Sequence, residues 1–279
     1  MSNSEISTST VTTDQGDSPT VKVLPYTLAT IDRVALGLTY IDVDKNANIR
    51  VAASWAPGPG PKFTITLGSW SDTKLWRAEA VWLKYPISTA VQDPAFETGT
   101  WNTFNGNAFQ QGQSQQNIDF GARFTQPPNV YVWINHLDLS SSNTWSLNLE
   151  TTQITTSGFT LNVNVWNDTP VYGLGITWFA IPVGSTRISA GILGSGMHGS
   201  APLAKNPGTS GRVDFPKKFR VSEDPKVLLA FSGIDVSNDS NLRLKADCTD
   251  VTTDGFKWSF DTWDDTRLYN AGGNYIVFH

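Results

Sequence analysis

Hydrophobic residues in this chain fall in short runs, and the runs alternate. Residues 129–135 read NVYVWIN, residues 159–166 read FTLNVNVW and residues 227–231 read VLLAF. Turn-forming clusters separate them: APGPGP at 56–61, SSSN at 140–143 and SNDSN at 237–241. Helical periodicity is almost absent, so the pattern predicts many short antiparallel strands, as in a β-sandwich or barrel. Three stretches break the rhythm. Residues 1–18 are low-complexity Ser, Thr and Asp and read as a tail; residues 87–116 and 183–211, rich in Gln, Asn, Gly and Ser, read as connectors.

The strands recur. KFTITLGSWSDTKLW at 62–76, GFTLNVNVWNDTPVY at 158–172 and GFKWSFDTWDDTRLY at 255–269 share one frame. It runs from a Phe to a Trp, then x-Asp-Thr, then an aromatic. The Trp are Trp70, Trp166 and Trp263; the later aromatics are Trp76, Tyr172 and Tyr269; Trp82, Trp178 and Tyr275 follow at a constant offset. Upstream, IDVDKNANIR, LDLSSSNTW and IDVSNDSNLR each place an apolar-Asp-apolar strand end before a polar turn. An Asn then stands two residues before Arg50, Trp145 or Arg243. Such coincidence predicts three copies of one β-module of about 70–80 residues. The modules are expected at 19–86, 117–182 and 212–279, the second starting within the 87–116 connector.

Composition narrows the function. With 20 basic and 25 acidic residues the net charge is −5, which disfavours a nucleic-acid surface or a polybasic membrane patch. No apolar run reaches the roughly 20 residues of a membrane helix, so membrane insertion is not expected. Cys248 is the one cysteine, so no internal disulfide framework exists. The amino terminus lacks a basic-then-apolar leader, and the expected setting is the cytoplasm or a non-classical export route. His136, His198 and His279 offer little for a metal cluster, and no cofactor is expected.

Candidate chemistry lies in the repeat. A spacing of two puts Asn48 and Arg50, and likewise Asn241 and Arg243, on one face of a strand. The Asp-Thr after each Trp forms a turn, so the Trp flanks a loop at the sheet's end. An indole beside a guanidinium and an amide suits a small, neutral, hydroxyl-rich ligand. Equally, Trp and Arg can stack on each other as a surface brace, and the residues alone leave both readings open.

The ordered set I-D-V, N-x-R at 241–243, G-F at 255–256, T-W-D-D-T at 262–266, Tyr269 and Tyr275 resembles the H-type lectin domain, the fold of snail agglutinins and of the carboxy-terminal half of discoidins. The first and second repeats share the frame less completely. The resemblance implies three six-stranded antiparallel β-sandwich modules in a trimeric or pseudo-trimeric arrangement. It also implies a non-enzymatic, multivalent lectin for galactose or N-acetylgalactosamine, bound in shallow grooves between modules. Carried over, the third repeat offers Asn241, Arg243, Trp263, Asp264 and Tyr269. The first offers Asn48, Arg50, Trp70, Ser71 and Trp76. The second offers Asn143, Trp166, Asn167 and Tyr172, with Trp145 where the Arg should stand. The family's adjacent-module Asp and Gly have only loose candidates: Gly16-Asp17, Asn105-Gly106 and the 195–210 loop. The partners implied are glycans, with a homotrimer or a single-chain pseudo-trimer as the assembly. A structural or interaction protein that keeps the sandwich without sugar binding is the alternative.

Other motifs are weaker. Gly194 to Gly199 spells a dinucleotide fingerprint, but no strand-turn-helix context surrounds it. Asp42 to Asn46 starts like a calcium loop, yet Ala47 replaces the turn glycine. Asn167 and Asn238 spell glycosylation acceptors. His136 reads as a packed or capping histidine. No G-x-S-x-G elbow appears. Asp264 and Asp265 could form a glycosidase pair, but neighbours on a turn point apart.

Overall fold

A computed structural model describes residues 7–14, 20–24, 32–57, 62–86, 94, 96–103, 113–194, 208–215 and 225–278. Those residues form strands and turns with no helix. The first module comprises β1 (Ser7–Asp14), β2 (Thr20–Leu24), β3 (Asp32–Val43), β4 (Ile49–Pro57), β5 (Phe63–Gly68) and β6 (Leu75–Pro86). The second comprises β7 (Glu97–Asn102), β8 (Gln113–Asp119), β9 (Asn129–Leu139), β10 (Trp145–Thr152), β11 (Gly158–Val165) and β12 (Val171–Ile181). The third comprises β13 (Ile188–Leu193), β14 (Thr209–Asp214), β15 (Lys226–Val236), β16 (Leu242–Thr252), β17 (Gly255–Asp261) and β18 (Leu268–Phe278).

No sheet belongs to one module. In each module the first, sixth and third strands form one half-sheet, and the second, fifth and fourth form another. The half-sheets combine in three six-stranded antiparallel sheets: β1-β6-β3-β16-β17-β14, β13-β18-β15-β10-β11-β8 and β2-β5-β4-β9-β12-β7. The third strand of each module thus pairs with the fourth strand of another, and three such pairings close a ring within one chain. In this structure all three sheets are completed within one chain.

The two kinds of apolar pattern follow from this arrangement. In β4 and β5, Ile49, Val51, Phe63, Ile65 and Leu67 are buried while the residues between them face outward. These strands cover a core on one face only. The VLLAF strand is apolar throughout because both its faces are covered: Leu229 and Phe231 join the sandwich core, whereas Leu228 and Ala230 join a second cluster. That second cluster also takes Ala35, Val81, Leu83, Trp133, Phe179, Ile181 and Ile276, drawn from third and sixth strands of all modules. It lies between the three modules. Register makes Gly37, Trp133 and Ala230 equivalent, since they stand opposite Val81, Thr177 and Asn274. One indole and two small residues share this centre. A Cβ on Gly37 would lie 2.4 Å from Ala230 Cβ and 3.0 Å from Trp133 Cβ. Trp133 Nε1 donates to the Asn274 carbonyl at 2.7 Å, and Asn274 Nδ2 donates to the Val132 carbonyl at 2.8 Å.

Two stretches read from sequence as tail and connector contain strands. Residues 7–14 are not tail but β1, paired with β6 along its length. β7 and the beginning of β8 lie within 87–116, where the second module was expected to start, whereas β13 and the beginning of β14 lie within 183–211, read as a connector. β1, β7, β8, β13 and β14 are sheet edges, hydrogen-bonded on one side only. STSTVTTD and ETGTWN therefore form strands with few apolar residues, because an edge strand needs little inward surface and polar residues on an edge discourage further pairing.

Candidate functional site

Each junction brings the fourth strand of one module beside the third strand of the next. The register sets Arg243 opposite Asp42, Arg50 opposite Asp138 and Ser146 opposite Asp235. Beside each pair lies the turn that follows Trp263, Trp70 or Trp166. Those turns close alike: the N–H of Thr266, Thr73 or Thr169 donates to the Trp carbonyl at 3.2–3.4 Å. The residue after the Trp is left-handed in every case, with φ of 59° at Ser71, 55° at Asn167 and 54° at Asp264. The Thr hydroxyl then ties the turn to the fourth strand, donating to the carbonyl of Asn241, Asn48 or Thr144.

That last contact corrects the alignment of the second repeat. Thr144, not Asn143, is equivalent to Asn48 and Asn241, and Ser146, not Trp145, holds the arginine position. Trp145 takes the core place of Ile49 and Leu242, is fully buried, and its Nε1 donates to the Ser140 carbonyl at 2.9 Å. Asn143-x-Trp145 imitated the Asn-x-Arg frame one residue early. The spacing carried the warning, since Ser146, like Arg50 and Arg243, stands twenty residues before its Trp.

At the Arg243 junction, Nη1 lies 2.6 Å from Asp265 Oδ1, while Nε lies 3.6 Å from both Asp42 Oδ1 and Asp264 Oδ2. One largely buried guanidinium thus serves three carboxylates, two on its own turn and one from the adjoining module. Burial raises the Asp42 carboxyl above its ordinary range, with Arg243 opposing the shift and Asp264 adding to it. Tyr40 packs on Trp263, ring centres 4.9 Å apart.

The Arg50 junction is its counterpart. Arg50 pairs with Asp72 on its turn and, through Nε, with Asp138 Oδ1 at 3.4 Å. Burial raises Asp138, opposed by Arg50, whereas the hydrogen bond from Arg50 lowers exposed Asp72. His136 occupies the place of Tyr40 and lies 4.8 Å from the Trp70 ring. Burial pushes its imidazole down to about 4, so it is neutral at pH 7.

At the third junction Ser146 stands where the other two carry arginine. Ser146 Oγ donates to Asp235 Oδ1 at 2.7 Å, Trp166 Nε1 donates to Asp235 Oδ2 at 3.3 Å, and Asn167 Nδ2 donates to Ser146 Oγ at 3.0 Å. Gly233 stands where the others have Tyr40 and His136, and nothing aromatic from that position covers the indole. Asp235 is almost completely buried.

Of the sequence-derived candidates, the structure brings Arg243, Trp263 and Asp264 together around Asp42, Arg50, Trp70 and Ser71 around Asp138, and Trp166 and Asn167 around Asp235. The three tryptophans are not interred: Trp70 is 37% exposed, and Trp166 and Trp263 are half-buried. Asn48 and Asn241 are engaged between modules, accepting from the backbone N–H of Ser141 at 3.1 Å and Lys45 at 3.0 Å. Asn143 Nδ2 reaches the Asn167 carbonyl at 3.5 Å. Trp76, Tyr172 and Tyr269 are bulge residues on sixth strands, each skipped in the register just before the residue paired with its own module's Asp: Arg77 with Asp42, Gly173 with Asp138 and Asn270 with Asp235. Each therefore borders a different junction from the Trp six positions before it.

Sequence reasoning missed Asp42, Asp138 and Asp235, with Tyr40, His136 and Gly233 two residues earlier. The repeated apolar-Asp-apolar motif was the available signal. Gly16, Asp17, Asn105, Gly106 and 195–207 lie outside the described residues. Among the described residues, no group of three or more His, Cys, Asp or Glu is placed to hold a metal ion.

The H-type lectin domain model matches residues 115–181 and 210–278. No curated protein matches the chain. A solved structure, native recombinant discoidin II of Dictyostelium discoideum, is similar at 13% identity, covering 61% of this chain and 76% of the other, with a TM-score of 0.28. Residues 115–181 and 210–278, which span the second and third repeats, are thus similar to the H-type lectin domain.

Proposed function

We propose that the chain is a carbohydrate-binding protein that takes galactose-type sugars, N-acetylgalactosamine among them, at its module junctions. The reading extends the lectin-domain assignment to the first repeat as well. The observation that carries it is the recurrence of a Trp-x-Asp-Thr turn beside a cross-module pair of fourth-strand residue and third-strand Asp. A half-exposed indole offers a face to pyranose C–H groups. The carboxylate accepts from hydroxyls, and the guanidinium donates to them in a fixed geometry.

The junctions differ, and so does their expected affinity. Arg243 and Arg50 supply charged donors, but Tyr40 and His136 lie over Trp263 and Trp70. At the Ser146 junction Gly233 takes the place of Tyr40 and His136, and serine takes the place of arginine. Titration calorimetry with N-acetylgalactosamine tests this. Arg243→Ala and Arg50→Ala are each expected to remove one class of site, while Ser146→Arg, which puts a guanidinium at the position the other two junctions give to arginine, strengthens the third roughly tenfold or more. Unchanged binding in all three variants would refute the junction assignment.

A second reading is that the junctions are braces without sugar affinity. It is favoured by the saturation of Arg50 and Arg243 by carboxylates of their own turns. A glycan array separates the two: a brace leaves every glycan unbound while Arg243→Ala still lowers the melting temperature.

A further inference from the structure

Trp55 and Trp101 belong to no position of the repeat frame, yet both line one cleft. Its origin is topological. β4 pairs with β9 only from Ile49 to Ala52, then continues to Pro57 against β5 alone. β9 runs on against β12. The two half-sheets splay, leaving a wedge of about 310 Å³ bounded by β4, β7, β9 and β12.

The same wedge opens where β10 leaves β15 after Asn148, again about 310 Å³. The fold therefore supplies the opening, and side chains decide what it can hold. The β10 wedge carries Glu150 and Ile192 and no aromatic residue. Among the described residues the β4 wedge carries two indoles, no charged group, and uncharged polar groups at Ser54, Asn102 and Asn135. Asn135 Nδ2 donates to Thr177 Oγ1 at 3.1 Å, which fixes the amide in the wall. The size lies at the lower end for small-molecule sites, and hydrophobic walls with a few directed polar groups are their usual lining.

We propose that the β4–β7 cleft is a second binding site, separate from the Arg50–Asp138 junction, for a single neutral hydroxylated ring of pyranose size. An indole covers the ring's C–H face, and the amides and hydroxyls of Asn102, Asn135 and Ser54 meet its oxygens. The described lining, uncharged throughout, suits a neutral sugar better than sialic or uronic acids and amino sugars, whose ions would be desolvated there. His136 lines this cleft and also stacks on Trp70, so the two sites share one side chain.

Fluorine NMR on the full chain labelled with fluorotryptophan tests the proposal, with methyl galactoside, methyl glucoside and methyl N-acetylgalactosaminide as probes. The Trp55 and Trp101 signals are expected to move saturably with at least one probe. They should do so equally in the triple variant combining Arg50→Ala, Trp166→Ala and Trp263→Ala, which leaves Trp70 stacked on the His136 of the cleft wall. Trp101→Leu and Asn102→Ala should each weaken the response at Trp55 roughly tenfold, with thermal melts confirming the fold of both. Signals that stay fixed under all three probes overturn the proposal, as do signals whose movement disappears in the triple variant. Failure of the junction reading has a separate mark: fixed signals from Trp70, Trp166 and Trp263.

Discussion

At the residue scale the junctions turn on buried carboxylates. Asp42 and Asp138 each lose water and receive in return one guanidinium from another module. Arg243→Ala leaves Asp42 without its counter-charge, and a loss of about 1–3 kcal/mol is expected in urea unfolding at pH 7. His136 gives a pH signature of the opposite kind. Its folded imidazole titrates at about 4 against 6.5 for the ordinary group. Between those values the unfolded chain binds the additional proton, so this contribution is complete above pH 6.5 and is lost as pH falls toward 4. Asp42 and Asp138, with raised folded values, act in the other direction on acidification. The His136 part is therefore read as the difference between the protein and His136→Leu, measured by unfolding at pH 7 and pH 5. The gap between the two should narrow or change sign at the lower pH; parallel curves would exclude the assignment.

At the scale of elements, the Trp-x-Asp-Thr turn sets the site. Its left-handed residue is Ser71, Asn167 or Asp264, and a serine bears that conformation less readily than Asn or Asp. Ser71→Gly is expected to stabilise the first module by roughly 0.5–1 kcal/mol, visible as a rise in melting temperature. Thr266→Val deletes the hydroxyl that joins turn to strand and should cost about 1 kcal/mol. These turns were legible in the sequence because their chemistry is local: Asp and Thr act on backbone groups within a few residues. The edge strands were not, because STSTVTTD becomes a strand only when β6 is there to pair with it.

At the scale of the whole molecule, the centre between the modules is asymmetric by design of side-chain volume. Trp133 fills space that Gly37 and Ala230 leave open. Three copies of any one module could not reproduce this, since three indoles would collide and three glycines would leave a void. Trp133→Ala is expected to cost about 3–5 kcal/mol through the cavity it leaves. Gly37→Val should cost about 1–3 kcal/mol by overpacking against Ala230 and Trp133. All three junctions are closed within one chain, so light scattering should return a mass near 30.5 kDa rather than three times that value. A trimeric mass would show that the ring opens and re-pairs between chains.

Periodicity, turn chemistry and the threefold recurrence of Trp, Asp and Thr pointed to the inner strands and to the tryptophan half of each junction. All of that rests on contacts between residues close along the chain, where spacing is itself geometry. The other half was decided in three dimensions. Asp42 meets Arg243 across some two hundred residues only because β3 and β16 share a sheet, and no spacing along the chain encodes that pairing. The same holds for His136 against Trp70, for Ser146 in the arginine's place, and for the wedge where β4 parts from β9. Strand order brings these residues together, and strand order follows from how three modules bury a common centre.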